Sequence, residues 1–380
     1  MRIALIGTRG VPAQYGGFET AVEEVGRRLV ERGHDVTVFC RTGDRTQREH
    51  LGMRLVHLPA VQRKVLETLS HTSLSVLHRD ARHADVAIVF NAANAPLLPA
   101  LRAAGVPTAV HVDGLEWQRS KWGPTGRRYY QACERLAVRW ADALIADARG
   151  IQAHYRTVHA VDSTFIPYGA PVLERPALHR LGELDLAPGG YHLVVARFEP
   201  ENHVREAVDA HLRSTATRPL VVVGAAPYAQ AYTDGIRRAA EGDERVRLVG
   251  PVWDQELLDA LYAGSLTYVH GHSVGGTNPS LLRAMGASAP VLAFDVVFNR
   301  EVLGDAGVFW PDAETLAGQL AEAEADPERA RDRGRRGCGR AAADYTWDAV
   351  AEQYEQLCRE LLTAGRRRRP AAPGSTARST

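Results

Sequence analysis

The stretch HGHSVGGTNPSLLRAMGASAPVLAFD, residues 270–295, has the pattern strand, glycine turn, helix, strand. The apolar run Leu266–His270 leads into this stretch and is typical of a buried parallel strand. Gly275–Gly276 allows a tight turn and lets a ligand approach the backbone, because no Cβ is in the way. Asn278 is a favourable N-cap, and Pro279 fits the first helical position, where its missing N–H costs nothing.

A helix that begins through two glycines at the carboxyl end of a strand is well suited to bind an anion. The N–H groups of its first turn have no partner in the helix and point towards the ligand. The pattern therefore predicts a phosphate-binding turn in an α/β fold. An ordinary strand-to-helix turn with favourable caps explains the same residues, so both interpretations stay open here.

Length and composition restrict the class of protein. A chain of 380 residues with 45% hydrophobic content predicts a globular protein of two or three domains. Its net charge of +1 gives no polycation for a nucleic-acid backbone, so no nucleic-acid partner is expected. The four cysteines form no CxxC pair, which favours reduced thiols in the cytoplasm. No signal peptide and no run of ~20 apolar residues is recognised.

The N-terminal region predicts a βαβ unit. Arg2–Ile6 is the first strand, Phe18–Arg32 the helix and Asp35–Cys40 the second strand. The turn Gly7–Gly17 lacks the GxGxxG spacing, so a dinucleotide cofactor is not expected. Because the turn is longer than the two to six residues usual for such a loop, it predicts a functional loop.

Repeated strands followed by polar loops predict that each half is a doubly wound α/β domain. In the first half, His111, Asp113 and Glu116 come at or just past the end of a predicted strand. The predicted strands that follow the βαβ unit are Val86–Phe90, Thr108–Val112, Ala143–Ala146, Tyr191–Ala196, Leu220–Val223, Val246–Val249, Leu266–His270 and Pro290–Phe294.

Gln62–Arg82 predicts one helix with apolar residues at helical spacing and basic residues beside them. A plain surface helix is one interpretation, and a basic helix that contacts a membrane surface is the other. Pro171–Pro188 has little regular pattern and predicts a linker. Arg366–Thr380 is polar and rich in Pro, Gly and Ser, which predicts a disordered basic tail.

The absence of some motifs limits the chemistry. The chain has no DxD pair for a divalent ion, no HExxH and no GxSxG. A diphosphate would then have to be neutralised by arginine and the helix dipole alone. Arg197 follows a predicted strand, and its guanidinium could bind phosphate there with two hydrogen bonds. An ion pair with Glu199 or Glu201 is the alternative for Arg197. His111 is a candidate base that activates an acceptor hydroxyl, with Asp113 nearby, or a structural histidine.

Several motifs resemble glycosyltransferase family 4, whose fold is GT-B: two doubly wound Rossmann-like domains that face each other across a cleft. The two-half layout, the sequence RFEPE at residues 197–201 and the glycine-turn helix carry this resemblance. Three motifs are more specific: GTRGVPAQYGGFET at 7–20, DGLEW at 113–117 and GHSVGGTNPS at 271–280. They resemble bacterial rhamnosyltransferases of capsular and cell-wall polysaccharide synthesis.

The resemblance implies transfer of a sugar, with retained anomeric configuration and without metal or other cofactor. The donor would be a nucleotide diphosphate sugar, dTDP-rhamnose above all, and the acceptor a saccharide or lipid-linked saccharide, with a peripheral membrane contact left open. The implied catalytic residues are His111, Asp113 and Glu116. The implied donor-binding residues are Arg197, Glu201, Gly275, Gly276, Thr277, Asn278, Ser280 and Arg283. The implied acceptor-binding residues are Tyr15, Gly16, Gly17, Glu19 and Trp117.

The corresponding domain division has five parts. It comprises an acceptor domain at 1–170, a linker at 171–190, a nucleotide-sugar domain at 191–345, a helix at 346–365 that returns to the first domain, and the tail at 366–380.

Three positions depart from the family pattern. Gly275 and Arg283 stand where the family has glutamates, and Asn202 stands where it has a lysine. These departures leave a non-catalytic nucleotide-sugar-binding homologue as the alternative to an enzyme. Arg283 would reach back along its helix towards the diphosphate. Arginine cannot accept a hydrogen bond from a ribose hydroxyl as the family glutamate does. A thymidine nucleotide, whose deoxyribose has one hydroxyl fewer, would lose less by this exchange. A surface ion pair is the competing interpretation for Arg283.

Overall fold

The computed structural model describes residues 1–13, 16–61, 66–112, 114–226 and 229–368. By their contacts these residues form two compact units. The first unit comprises Met1–Val112, Ala132–Ile145 and the chain from Ala351. The second comprises Asp113–Gln131 and Ala146–Val350. Both units are α/β, so the predicted fold class is confirmed. The predicted first domain spans residues 1–170, whereas the contacts assign 113–131 and 146–170 to the second unit.

The first sheet has eight strands in the order β3-β4-β2-β1-β5-β6-β7-β8. Its central pairings, β4-β2-β1-β5-β6, are parallel, and the short β3 is antiparallel to β4. The sequence interpretation missed β3 and β4. The strands are β1 Arg2–Ile6, β2 Asp35–Cys40, β3 Glu49–His50, β4 Met53–His57, β5 Val86–Phe90, β6 Thr108–Val112, β7 Ala143–Ala146 and β8 Thr164–Phe165.

The second sheet has six parallel strands in the order β11-β10-β9-β12-β13-β14. Val194, Val222, Val269 and Leu292 from four of its strands join one buried core with Trp310. Such apolar strands suit a sheet that helices cover on both faces. The strands are β9 His192–Val195, β10 Leu220–Val223, β11 Val246–Gly250, β12 Thr267–His270, β13 Val291–Phe294 and β14 Val308–Trp310.

Fourteen α-helices are found in the described part of the chain. They are α1 Gly17–Glu31, α2 Glu67–Leu77, α3 Arg79–Arg82, α4 Leu98–Ala103, α5 Pro124–Trp140, α6 Arg149–His159, α7 Val204–Arg213, α8 Gln230–Ala240, α9 Gln255–Gly264, α10 Pro279–Gly286, α11 Val297–Leu303, α12 Ala313–Ala325, α13 Pro327–Asp344 and α14 Trp347–Arg368. None of these helices has both the length and the apolar character needed to span a bilayer.

Three local predictions are corrected. The single helix predicted at 62–82 is broken at His78, whose backbone is extended and whose Nδ1 accepts from the N–H of Asp80 at the start of α3; residues 62–65 lie outside the described chain. The linker contains a helical turn, Leu178–Leu184, with Leu181 buried. Helix α14 continues to Arg368, three residues into the predicted tail, and the remainder of that tail lies outside the described residues.

Helix α14 has an apolar side within the first unit. Its side chains Tyr354, Leu357 and Cys358 are buried there, and Tyr354 stacks near the ring of His111 at 6.5 Å between centroids. Glu355 accepts from His34 at 2.9 Å. The buried side chains of α14 are therefore covered by the first unit from Ala351 onward.

Stability should fall in mild acid because His71 and His211 are fully buried. Burial lowers the pKa of each imidazole to about 4, whereas an unfolded histidine titrates near its ordinary value of 6.5. The unfolded chain therefore binds more protons below about pH 6.5, and each histidine costs up to about 1.4 kcal/mol per pH unit down to about pH 4.

Urea unfolding between pH 7.5 and 4.5 measures this loss. The variant His211→Gln should show a shallower decline than the wild type, whereas His83→Asn, at an exposed position, should keep the wild-type slope. Equal slopes in all three proteins would contradict the assignment.

Candidate functional site

Two loops meet at the carboxyl edge of the second sheet, because β9 and β12 are parallel neighbours. We call Arg197–His203 the Arg197 loop and Gly271–Asn278 the glycine turn. The backbone N–H and the hydroxyl of Ser273 both donate to the carbonyl of Glu201, at 2.9 and 3.1 Å. A Cβ on Gly271 would come within 2.2 Å of the Asn202 carbonyl oxygen, so this approach requires glycine.

The start of α10 is capped as the sequence predicts. Asn278 Oδ1 accepts from the backbone N–H of Ser280 at 2.9 Å and from its hydroxyl at 2.7 Å. The hydroxyl of Tyr268 donates to Ser280 Oγ at 3.1 Å. Thr277 is buried, and its hydroxyl donates to the carbonyl of Asp147. Asn278, Ser280 and Thr277, which were predicted to bind donor, therefore hold the helix start in place, and their contact with donor stays a prediction.

The glycine turn is packed against protein on two sides. Gly275 has φ near 142°, and a Cβ on Gly114 would lie 2.2 Å from the Cα of Gly275. A Cβ on Gly276 would lie 2.0 Å from Oδ1 of Asp147. Gly275 is thus favoured by its backbone conformation and Gly276 by its packing against Asp147, which are reasons for these glycines beside the predicted approach of a ligand.

Glu116, a predicted catalytic residue, belongs to a cluster of charges after β6 whose members Arg119 and Lys121 sequence reasoning missed. Glu116 is buried, and its carboxylate pairs with Arg119 at 2.6 Å and with Lys121 at 2.7 Å. The indole N–H of Trp122 donates to the same carboxylate at 3.2 Å. Burial raises the pKa of Glu116, but attraction to Arg119 and Lys121 outweighs it, so the pKa is below its usual value.

Arg119 extends this cluster to the Arg197 loop. Its Nη1 lies 3.7 Å from a carboxylate oxygen of Glu199 and 3.9 Å from one of Glu201, and both glutamates are buried. The hydroxyl of Ser120 donates to Glu201 at 2.8 Å. We call Glu116, Arg119, Lys121, Arg197, Glu199 and Glu201 the ion cluster. It balances three carboxylates with three cations. Arg119 and Lys121 could have been suspected only from their spacing of three and five residues after Glu116.

Arg197 forms one of the two interactions left open by the sequence, and the other, with phosphate, stays a prediction. Its Nη2 lies 3.4 Å from Glu199, which is the predicted alternative ion pair. Its side chain is nevertheless 34% exposed. Arg197 is therefore paired with a buried carboxylate, while part of its side chain is exposed to solvent.

Arg283 forms an ion pair, as in the interpretation that competes with donor binding. Its guanidinium forms an ion pair with Asp259 of α9, and the two side chains are 21% and 19% exposed. A guanidinium held by a neighbouring helix must leave that carboxylate before it can bind a diphosphate. The predicted reach of Arg283 towards the donor is therefore not the arrangement found, and its donor-binding role stays a prediction.

His111 lies at the end of β6 and is fully buried among aromatic rings of the first unit. Its ring stacks on Phe90 at 5.5 Å and meets the edge of Phe18 at 5.1 Å. Burial lowers the pKa of His111 to about 4, so the imidazole is neutral at pH 7 and a weak base. Asp113, its predicted companion, lies outside the described residues.

The predicted acceptor residues lie partly in the loop before α1. Glu19 accepts from the backbone N–H of Arg9 at 3.0 Å, and a Cβ on Gly16 would lie 2.3 Å from Glu19 Oε2. The loop borders a cavity of about 110 Å³ that is lined by Arg9, Gly10, Val11, Pro12, Glu19, Thr42 and Gly43. Gly17 begins α1 and Trp117 is half-buried, whereas Tyr15 lies outside the described residues.

Two family models match consecutive parts of the chain. The glycosyl transferase 4-like domain matches residues 16–169, and the glycosyl transferases group 1 model matches residues 191–326. Together they cover most of the chain.

Individual relatives extend over the same region. Alpha-maltose-1-phosphate synthase of Mycolicibacterium smegmatis is 26% identical over 412 residues, which cover 95% of this chain and 100% of the relative. O-antigen chain mannosyltransferase B of Escherichia coli is 31% identical over 156 residues, 39% of each chain.

Solved structures have the same fold. Sucrose-phosphate synthase from Thermosynechococcus elongatus aligns with a TM-score of 0.83 at 24% identity, covering 96% of this chain and 99% of that one. Anabaena HepE in complex with UDP aligns with a TM-score of 0.76 at 16% identity, covering 95% and 100%. With both family models in sequence order, the chain belongs to the glycosyltransferases of family 4 and has the GT-B fold.

Proposed function

We propose that this glycosyltransferase takes a hexose from a nucleoside diphosphate sugar that binds at the carboxyl edge of the second sheet. The observation that carries the proposal is the partly exposed Arg197, whose loop is hydrogen-bonded to the glycine turn that leads into α10. A guanidinium and a helix N-terminus are two groups that attract phosphate. HepE has been crystallised with UDP and with UDP-glucose, which supports a donor of this class.

The identity of the donor is a finer part of the proposal. The three sequence motifs favour dTDP-rhamnose, whereas the names of the relatives point to glucosyl and mannosyl transfer. Arginine and helix dipole can neutralise a diphosphate without a divalent ion, so we propose metal-independent transfer, with retained configuration, to a saccharide or lipid-linked acceptor.

A thermal-shift panel tests the donor class. It would contain UDP, GDP, ADP and dTDP, with glucose, mannose and rhamnose esters where they exist, each with and without EDTA. Stabilisation by at least one nucleoside diphosphate is expected, and EDTA should leave it unchanged. A panel without any shift would contradict the proposal.

Arg197→Ala should weaken the binding of UDP and dTDP about ten- to a hundredfold, because hydrogen bonds to charged groups contribute roughly 1.5–3 kcal/mol. Titration calorimetry measures the change. The control is Arg205→Ala, which removes an arginine paired with Asp209 on α7. Wild-type affinity in Arg197→Ala, or equal losses in both variants, would refute the role of Arg197.

Arg119→Met should lower the free energy of unfolding by about 3–5 kcal/mol, because buried carboxylates lose their central cation. Adding Glu116→Gln in the same chain should recover part of the loss, since it removes one of the uncompensated charges. Urea unfolding of the two single variants and the double variant measures the coupling. Additive losses would show that Arg119 and Glu116 do not interact.

Arg283→Ala should leave the affinity for dTDP within about twofold, because Asp259 holds the guanidinium in the free protein. The paired control is Asp259→Asn, which releases Arg283. If Arg283 binds the diphosphate, Arg283→Ala will weaken dTDP and Asp259→Asn will tighten it. That pattern, together with weaker binding of UDP than of dTDP, would restore the role predicted from the sequence.

A further inference from the structure

His272 lies in the glycine turn and is fixed by two neighbours. Its ring atom Nδ1 lies 2.7 Å from Oδ1 of Asn202, and its backbone carbonyl accepts from the Asn299 amide at 2.9 Å. Neither the sequence motifs nor the family comparison singled out this histidine. The residue as a whole is half-buried.

The neighbours of His272 determine which ring nitrogen carries the proton. Asn202 Nδ2 lies 2.8 Å from the backbone carbonyl oxygen of Arg197, and a carbonyl can only accept. The amide of Asn202 therefore presents its oxygen to His272, and this oxygen accepts the proton of Nδ1. In the neutral ring, Nε2 is left with a lone pair and acts as an acceptor.

The same surroundings keep the ring neutral. Burial holds the pKa of His272 well below its usual value, and the positive charges of Arg119 and Arg197 lower it further, as do His270 and His203 nearby. Protonation at Nε2 is thus disfavoured at working pH. A neutral acceptor suits a hydroxyl and repels a phosphate oxygen, which is itself an acceptor.

Nε2 lies close to Gly275. A Cβ on Gly275 would lie 2.9 Å from this atom, so a side chain at this position would crowd it. Among the described residues, no hydrogen-bond partner of Nε2 is found. We propose that His272 Nε2 accepts a hydrogen bond from a hydroxyl of the donor, either on the ribose or on the transferred sugar. This inference rests on the proposed nucleoside diphosphate sugar donor.

Two isosteric variants separate this role from a structural one. His272→Asn keeps a donor where Nδ1 lies, and so keeps the bond to Asn202, but it has no atom at Nε2. His272→Gln keeps an acceptor near Nε2 and loses the bond to Asn202. Titrations of UDP, dTDP, UDP-glucose and dTDP-glucose should show about tenfold weaker binding to His272→Asn for every probe that carries the bonded hydroxyl, while His272→Gln stays within about threefold of wild type.

The pattern of losses identifies the source of the hydroxyl. A larger loss for the glucose esters than for UDP and dTDP assigns the hydroxyl to the transferred sugar, and equal losses assign it to the ribose. The reverse order of the two variants, equal losses in both, or no loss in either would overturn the inference. Thermal unfolding midpoints check that both variants are folded.

The wild-type protein gives an independent test. Affinity for UDP-glucose should be unchanged between pH 8 and 6, because a neutral acceptor does not titrate in this range. Tighter binding at pH 6 that disappears in His272→Asn would mean that a protonated His272 pairs with phosphate, which would overturn the inference. If the wild-type protein binds neither these four probes nor GDP and ADP, the proposed donor class fails instead, and the two failures are thus distinguishable.

Discussion

The ion pairs of Arg119 are the interaction on which the arrangement of the candidate site depends. Three buried glutamates would be too costly without cations, and Arg119 contacts all three. Glu116 and Arg119 follow β6, whereas Glu199 and Glu201 follow β9, so these pairs join segments that are far apart in sequence. The electrostatic balance of the cluster therefore fixes the Arg197 loop and places positive charge beside it.

Close backbone packing at three glycines also holds the glycine turn in place. Gly114 lies against the backbone of Gly275, Gly276 against Asp147, and Gly271 against the carbonyl of Asn202. Each contact excludes a Cβ, so the glycine turn is held rigidly by its own chain before any ligand arrives. A rigid turn presents the start of α10 without a further entropy cost on binding, which is the benefit of preorganisation.

Local patterns predicted the fold and the capped helix start within the candidate site, whereas the roles of the site residues stay predictions. Strand ends, the Asn278 cap and Pro279 depend on neighbours in sequence, and the structure has them as predicted. Contacts between distant segments were beyond such reasoning: Arg119 meets Glu199, and Asp259 holds Arg283, only after folding. The break at His78 was missed because it depends on a backbone conformation that apolar spacing does not report.

Asn202 shows why a departure from a family pattern need not be a loss. The family has a lysine at this position, and a lysine ammonium offers donors but no acceptor. It could not receive the proton of His272 Nδ1, so the histidine would be pushed towards the tautomer that carries its proton on Nε2. The amide of Asn202 instead links the Arg197 carbonyl to His272 and leaves Nε2 as an acceptor. Arg119 and Arg197 already supply positive charge around this loop, so asparagine in place of lysine removes a cation where others are present. In return, Asn202 makes Nε2 of His272 a hydrogen-bond acceptor.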